Sequence, residues 1–216
     1  MTKARTLALK IDTRELDTLR DRLGEMTGEE IGRATVTALN GVVDRAYELS
    51  RERMIAGINL SDDYLRRRMR VEHATKGKPV ASITASGARD DLTVLSRFDA
   101  KPVIVQNKKG RAGKGNELLG IPSGQRQAGV KVSVTRGNED FIERGFMLPL
   151  RRGTQAGGNG YGVFARSRDG TLKHRYGPSV YQLFAYQVQT VSYAAEEDLE
   201  ETLIEQVTEV LQKVNP

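Results

Sequence analysis

The chain has 216 residues, 29% of them charged and 6% aromatic, with a net charge of +6, which is enough length for one sizeable domain. It contains no Cys and no Trp, so a disulfide framework and a thiolate metal site are excluded, and a reducing compartment fits. The opening "MTKARTLALKID" lacks the apolar core of a secretory signal and no run approaches a membrane span, so the protein is expected to be made and used without crossing a membrane.

The first clear element is a long helix over 27–57. "TGEE" offers Thr27 as N-cap with Glu30 as its capping-box partner. Ile31, Ala34, Ala38, Val42, Ala46 and Leu49 then recur at helical spacing and define one buried stripe. Gly57 is expected to end the helix as a C-terminal cap, because glycine takes positive φ without penalty. A short helix over 61–70 follows in "NLSDDYLRRRMRV", capped by Ser61. Its acids, Asp62 and Asp63, sit at the positive end of the dipole and Arg66, Arg67 and Arg68 at the negative end. Three consecutive arginines fan over most of a turn, so a solvated, dipole-matched helix end accounts for them better than a phosphate grip does.

From about residue 79 to 175 the period becomes two. "VASITAS", "DDLTVLSRF", "KPVIVQ" and "GVKVSVT" read as strands. A Gly-rich basic loop, 107–129, separates the last two and is too long for a hairpin turn; loops of this size are usually functional or mobile. "YGVFAR", "SRDG" and "TLKHR" read as a hairpin with Asp169-Gly170 in the turn. After "RYGPSV" the chain ends in an amphipathic helix over 192–214, with Leu199, Leu203, Val207, Val210, Leu211 and Val214 on one side and acids opposite. The expected fold is α+β: an antiparallel, sandwich-like sheet core with a long N-terminal helix and an amphipathic C-terminal helix, in a single domain spanning 1–216.

Chemical motifs fail in turn. Gly113-Lys114 is followed by Gly115, not Ser or Thr, and Lys108 stands where a P-loop needs its first Gly. The two histidines, His73 and His174, have no metal-site spacing. Ser179 lies near His174, but no nucleophile elbow surrounds it, and a serine after proline serves as a helix cap. The paired acids Asp90-Asp91 and Glu196-Glu197 suit element edges. No enzyme, metal or cofactor is expected. Charge is the remaining signal: 16 Lys and Arg against 6 acids from Arg97 to Arg175, and one Lys against seven acids from Ser192 to Pro216. A basic middle suits a polyanion, and equally suits solvated basic loops.

In order, "RATVTALNGVVDRAYELSRERM", "INLSDDYLRRRMRVEHA", "VASITASG", "AGVKVSV", "FIERGFM", "GYGVFAR" and "HRYGPSVYQLF" resemble the minor tail protein Z family, tail completion proteins of long-tailed bacteriophages and prophages. The likeness covers roughly residues 30 to 215, and "YGPSV" is its most distinctive block. The loop 107–129 elaborates a connection that is usually shorter in the family, and "LKH" replaces a more apolar approach to "YGPSV". The resemblance implies a virion structural protein without catalytic activity, made in the host cytoplasm and acting at the head-proximal end of the tail. It implies self-assembly into a ring, generally six-fold, around the DNA channel, with other tail and head–tail connector proteins as partners and genomic DNA in the lumen. Lys108, Lys109, Arg111, Lys114 and Arg126 are the candidate residues for DNA or for a neighbouring ring. Tyr176, Gly177, Pro178 and Ser179 are expected to form a rigid corner that sets the terminal helix. The competing expectation is a nucleic-acid-binding protein, indifferent to sequence and acting free of the virion; a Ser179–His174 hydrolase ranks last.

Overall fold

The computed structural model describes residues 6–11, 27–86, 92–108, 120–150 and 160–214. Its elements, in order, are β1 (Thr6–Ile11), α1 (Gly28–Gly57), α2 (Asp62–Arg68), β2 (Met69–Glu72), β3 (Ala81–Ser86), β4 (Thr93–Val94), a 3-10 turn (Leu95–Arg97) and β5 (Lys101–Gln106). They continue with β6 (Gln125–Val132), β7 (Asp140–Glu143), β8 (Gly145–Pro149), β9 (Tyr161–Arg166), β10 (Leu172–Gly177) and α3 (Val180–Val214). Among the described residues every strand pairing is antiparallel, and the fold is α+β as the alternation of periods implies. The chain forms two compact units, the first from β1, 27–54, 62–86 and α3 with Ser179, the second from 55–61 and the described residues of 92–178.

In the first unit β3 lies between β1 and β2. Ala81, Ile83 and Ala85 of β3 are buried, and α3 runs along β1 and β3. The capping box of α1 is made as the sequence implies: Thr27 N donates to Glu30 Oε2 at 3.0 Å, and Glu30 N donates to Thr27 Oγ1 at 3.4 Å. The Thr27 hydroxyl, which donates to Glu30 Oε2 at 2.7 Å, and then the Thr27 N–H hold the Glu30 carboxyl below its ordinary pKa. Ala34, Ala38, Val42 and Ala46 are buried, and Leu39, Val43 and Met54 widen the stripe. The turn after β2 is fastened to α1 by Asn40, whose Oδ1 accepts from Ala74 N at 2.7 Å while its Nδ2 donates to Ala74 O at 3.2 Å. Arg45 binds Asp198 of α3 through Nε and Nη2, at 2.7 and 3.0 Å, and donates to Thr202 at 2.7 Å.

The second unit holds two sheets, one in the order β4-β10-β9-β8 and one in the order β5-β6-β7. Gln127 of β6 joins them: its Oε1 accepts from Met147 N of β8 at 2.7 Å, and its Nε2 donates to Met147 O at 3.2 Å. β5 and β6 shift register between Val103 and Ile104, opposite Gly129. A Cβ on Gly129 would strike the Phe141 ring and come within 2.9 Å of Ile142 O, so glycine fits this position beside Ala128, which the register skips. The β9–β10 turn is as expected. Gly170 has φ +87°, Gly170 N donates to Ser167 O, and Asp169 Oδ1 accepts from Thr171 N.

Five sequence expectations change, the first being "DDLTVLSRF", which among the described residues is strand only at Thr93–Val94 and continues as the 3-10 turn Leu95–Arg97. Gly57 is the last helical residue and has no positive φ. The α1 end is closed by Arg136, whose backbone N donates to Gly57 O at 3.0 Å and whose Nε donates to Ile55 O. A guanidinium there also complements the dipole's negative end. The short helix stops at Arg68 because Met69 and Arg70 pair with Ala85 and Thr84. Part of the 107–129 loop is strand, since β6 begins at Gln125. The terminal helix begins at Val180, twelve residues before Ser192.

Arg144, between β7 and β8, is a non-glycine residue with φ +58°. The left-handed region costs an L-residue about 1–2 kcal/mol, part of which glycine's extra freedom in the unfolded chain offsets. Arg144→Gly is therefore expected to raise unfolding free energy by about 1 kcal/mol, and a lowered urea midpoint would refute it.

Candidate functional site

The corner Tyr176–Ser179 begins in β10, where Tyr176 pairs with Val94 and Gly177 with Thr93. A Cβ on Gly177 would lie 2.8 Å from Phe98 Cζ and 3.0 Å from Cδ2, and closer still to Cε2. The glycine is there because an aromatic ring occupies the side-chain position. Pro178 has no N–H to extend the ladder and its φ is fixed, so the strand stops. The chain leaves the second unit at Pro178 and enters the first at Ser179. Ser179 is 4% exposed. Its N donates to Gln182 Oε1 at 2.9 Å, and its Oγ accepts from Gln182 N at 3.2 Å. This is a second capping box, and it starts α3. The Ser179 hydroxyl is a helix cap and not a nucleophile aimed at a substrate.

On the outer face of the β8–β9–β10 sheet, Phe146 stands opposite Phe164, and Phe164 opposite His174. The rings stack with centroids 6.2 and 4.5 Å apart, and Tyr176 continues the row at 4.2 Å from His174. Gly162 leaves room for this row, since a Cβ there would come within 2.7 Å of His174 Nε2. Nε2 is buried without a hydrogen-bond partner among the described residues, and burial pushes the His174 pKa below its ordinary value. The unfolded chain takes up a proton as pH falls through about 6.5, whereas the folded chain resists it. Stability is thus lost below that pH until the lower folded pKa is passed. Between about pH 7.5 and about 5.5 the melting temperature of His174→Phe is expected to fall less than that of the parent; parallel curves would refute this.

The basic candidates separate. Lys108 and Arg126 are both exposed at the connected end of the β5–β6 pair, where Arg126 pairs with Val105 and Asn107 N donates to Gly124 O at 2.8 Å. Lys109, Arg111 and Lys114 lie outside the described residues. The arginine triplet is engaged within the fold. Arg66 binds Asp62 at 2.9 Å and Glu48 at 3.6 Å, Arg67 binds Asp63 at 2.6 Å, and Arg68 lies 5.4 Å over the Tyr64 ring. Arg51, 9% exposed, completes the cluster with Glu48 and Asp62. The Asp62 carboxyl sits below its ordinary pKa, first through Arg66 and then through Arg51. His73 pairs with Asp44 at 2.9 Å. Among the described residues no group of three His, Asp or Glu could hold a metal ion, and no helix is long and apolar enough to cross a membrane.

The aromatic row could not be read from spacing, because Phe146, Phe164 and His174 become neighbours only through strand register. Its sole sequence signal is an aromatic at an alternate position in each of three successive strands.

No curated protein and no solved structure matches the chain. The model of the family described as prophage minor tail protein Z (GPZ) matches residues 15–215, nearly the whole length, and the chain belongs to that family of structural phage tail proteins.

Proposed function

We propose that the protein is a non-catalytic tail-completion component of a long-tailed phage, joining tail to head at the head-proximal end. In this reading residues 1–216 act as one tail-completion domain, copies form a ring, expected to be hexameric, around the DNA channel, and other tail and head–tail connector proteins bind its faces. Family membership across residues 15–215 carries the proposal. The basic stretch from Arg97 to Arg175 supports it, because a lumen or ring contact on DNA needs Lys and Arg without base readout. Lys108, Lys109, Arg111, Lys114 and Arg126 are assigned to that contact, with DNA or with the adjacent ring. Tyr176, Gly177, Pro178 and Ser179 act as the joint that sets α3. The test is an averaged image of the upper end of purified tails, together with detection of the protein in them. A ring at the head-proximal end is expected, and absence from purified tails would sink the proposal.

The same basic stretch favours one second reading, a free DNA-binding protein indifferent to sequence. That reading requires the isolated chain to bind DNA at about 50 mM salt with a steep salt dependence; no binding there eliminates it.

A further inference from the structure

The helix α3 carries two different faces. Phe184, Val191, Ala195, Leu199 and Leu203 are buried in the first unit. At three- and four-residue steps on the other side come Tyr186, Thr190, Tyr193, Glu197, Glu200 and Ile204, which is one continuous stripe. Tyr186 is 90% exposed, Tyr193 64% and Ile204 51%. Glu197 and Glu200 form no ion pair with a described residue, and the exposed Glu196 and Glu201 flank them likewise. Three large apolar side chains standing in water within an acidic field form an uncovered surface.

The β9–β10 hairpin offers its counterpart. Tyr176 and Leu172, each 46% exposed, extend the half-buried Phe164–His174 stack. Arg166 stands opposite Leu172 on the same face. On this face and in the turn beside it the hairpin carries Arg166 and Arg168 against one acid, Asp169, whose carboxylate is occupied by Thr171; Lys173 and Arg175 alternate to the other face with Ala165 and Val163.

From these two surfaces we infer that the acidic tyrosine stripe of α3 on one copy docks on the basic aromatic face of the β9–β10 hairpin on the next copy. Rings fill rings, and carboxylates meet guanidinium groups. Either surface against itself would set like charges together, so pairing is head to tail, the class of contact that closes into rings. The inference rests on the ring reading above and supplies its subunit contact.

The test uses the full chain, with light scattering after size exclusion at about 50 mM and about 500 mM salt. The parent is expected to form an oligomer that weakens as salt rises. A helix-face variant, Tyr186→Ser with Tyr193→Ser, and a hairpin-face variant, Arg166→Glu with Leu172→Ser, are each expected to be monomeric with unchanged circular dichroism. Mixed one to one, they keep a single intact interface, so heterodimers and nothing larger are expected. If either variant misfolds, Glu197→Lys with Glu200→Lys and Arg166→Glu with Arg168→Glu make the same comparison. Parental oligomers in both variants, or no heterodimer in the mixture, overturn the inference while leaving the ring reading intact. Variants that keep the oligomer but fail to join tails also overturn it, because the faces then serve another tail protein. A parent that is monomeric at every concentration overturns both.

Discussion

Gly177→Ala is expected to lower unfolding free energy by about 3 kcal/mol, the upper part of the range for overpacking a tight core. For a chain of this length that corresponds to a melting temperature roughly 6–12 °C lower. The obstacle is Phe98, fully buried and held at both ends of its backbone. Phe98 N donates to Leu95 O at 3.1 Å, and its O accepts from Ser133 N at 3.0 Å. Gly177 is fixed as well, by its pairing with the buried Thr93. Neither partner can withdraw without breaking the β4–β10 pairing or the turn before Phe98. Phe98→Leu should relieve part of the clash, so the double variant is expected to lose less than the sum of the two single losses. Pro178→Ala, which mainly frees the unfolded chain, should cost about 0.4–1 kcal/mol. Thermal melts of the four variants decide the matter. A Gly177→Ala chain melting like the parent would show that the corner tolerates a side chain and that Pro178 alone sets it.

Both capping boxes are four-residue signals, Thr27–Glu30 and Ser179–Gln182, and both are made. Ser179 was legible as a cap, and Gln182 three residues on marks the true start of α3. That start is obscured because "VYQLFAYQVQTVSY" is rich in aromatic and β-branched residues, which are poor helix formers. Tyr186 and Tyr193 on the open face further blur the single-stripe pattern. In β1, "TLALKI" alternates Leu7, Leu9 and Ile11, a period-two signal in a segment where only the missing secretory core draws notice.

Other features depend on distant residues and leave no local trace. Arg136 closes the α1 end from beyond β6, and Phe98 explains Gly177 from seventy-nine positions away. A glycine between a tyrosine and a proline reads as a turn, whereas its actual role is close approach. For the basic candidates, composition indicates charge, and only the β5–β6 pairing brings Lys108 and Arg126 to one end of a hairpin.

Ending the chain after Ala195 is expected to cost about 3–6 kcal/mol, much of the 5–15 kcal/mol that holds a typical fold. The loss comes chiefly from Leu199 and Leu203, 8% and 3% exposed, each contributing about 1.5–3 kcal/mol on burial. The Arg45–Asp198 pair, with Arg45 53% exposed, adds at most about 1 kcal/mol despite its two-point geometry. Arg45→Ala should therefore shift the denaturation midpoint only slightly, whereas Leu199→Ala alone should cost about 2–5 kcal/mol. This ordering locates the strength of the terminal helix in its packing over β1 and β3, with the arginine from α1 as a guide. The truncated chain should fail to enter tails because the first unit is weakened, while the Tyr186 and Tyr193 variants should fail as folded monomers. A truncated chain that stays folded and enters tails would refute the packing account.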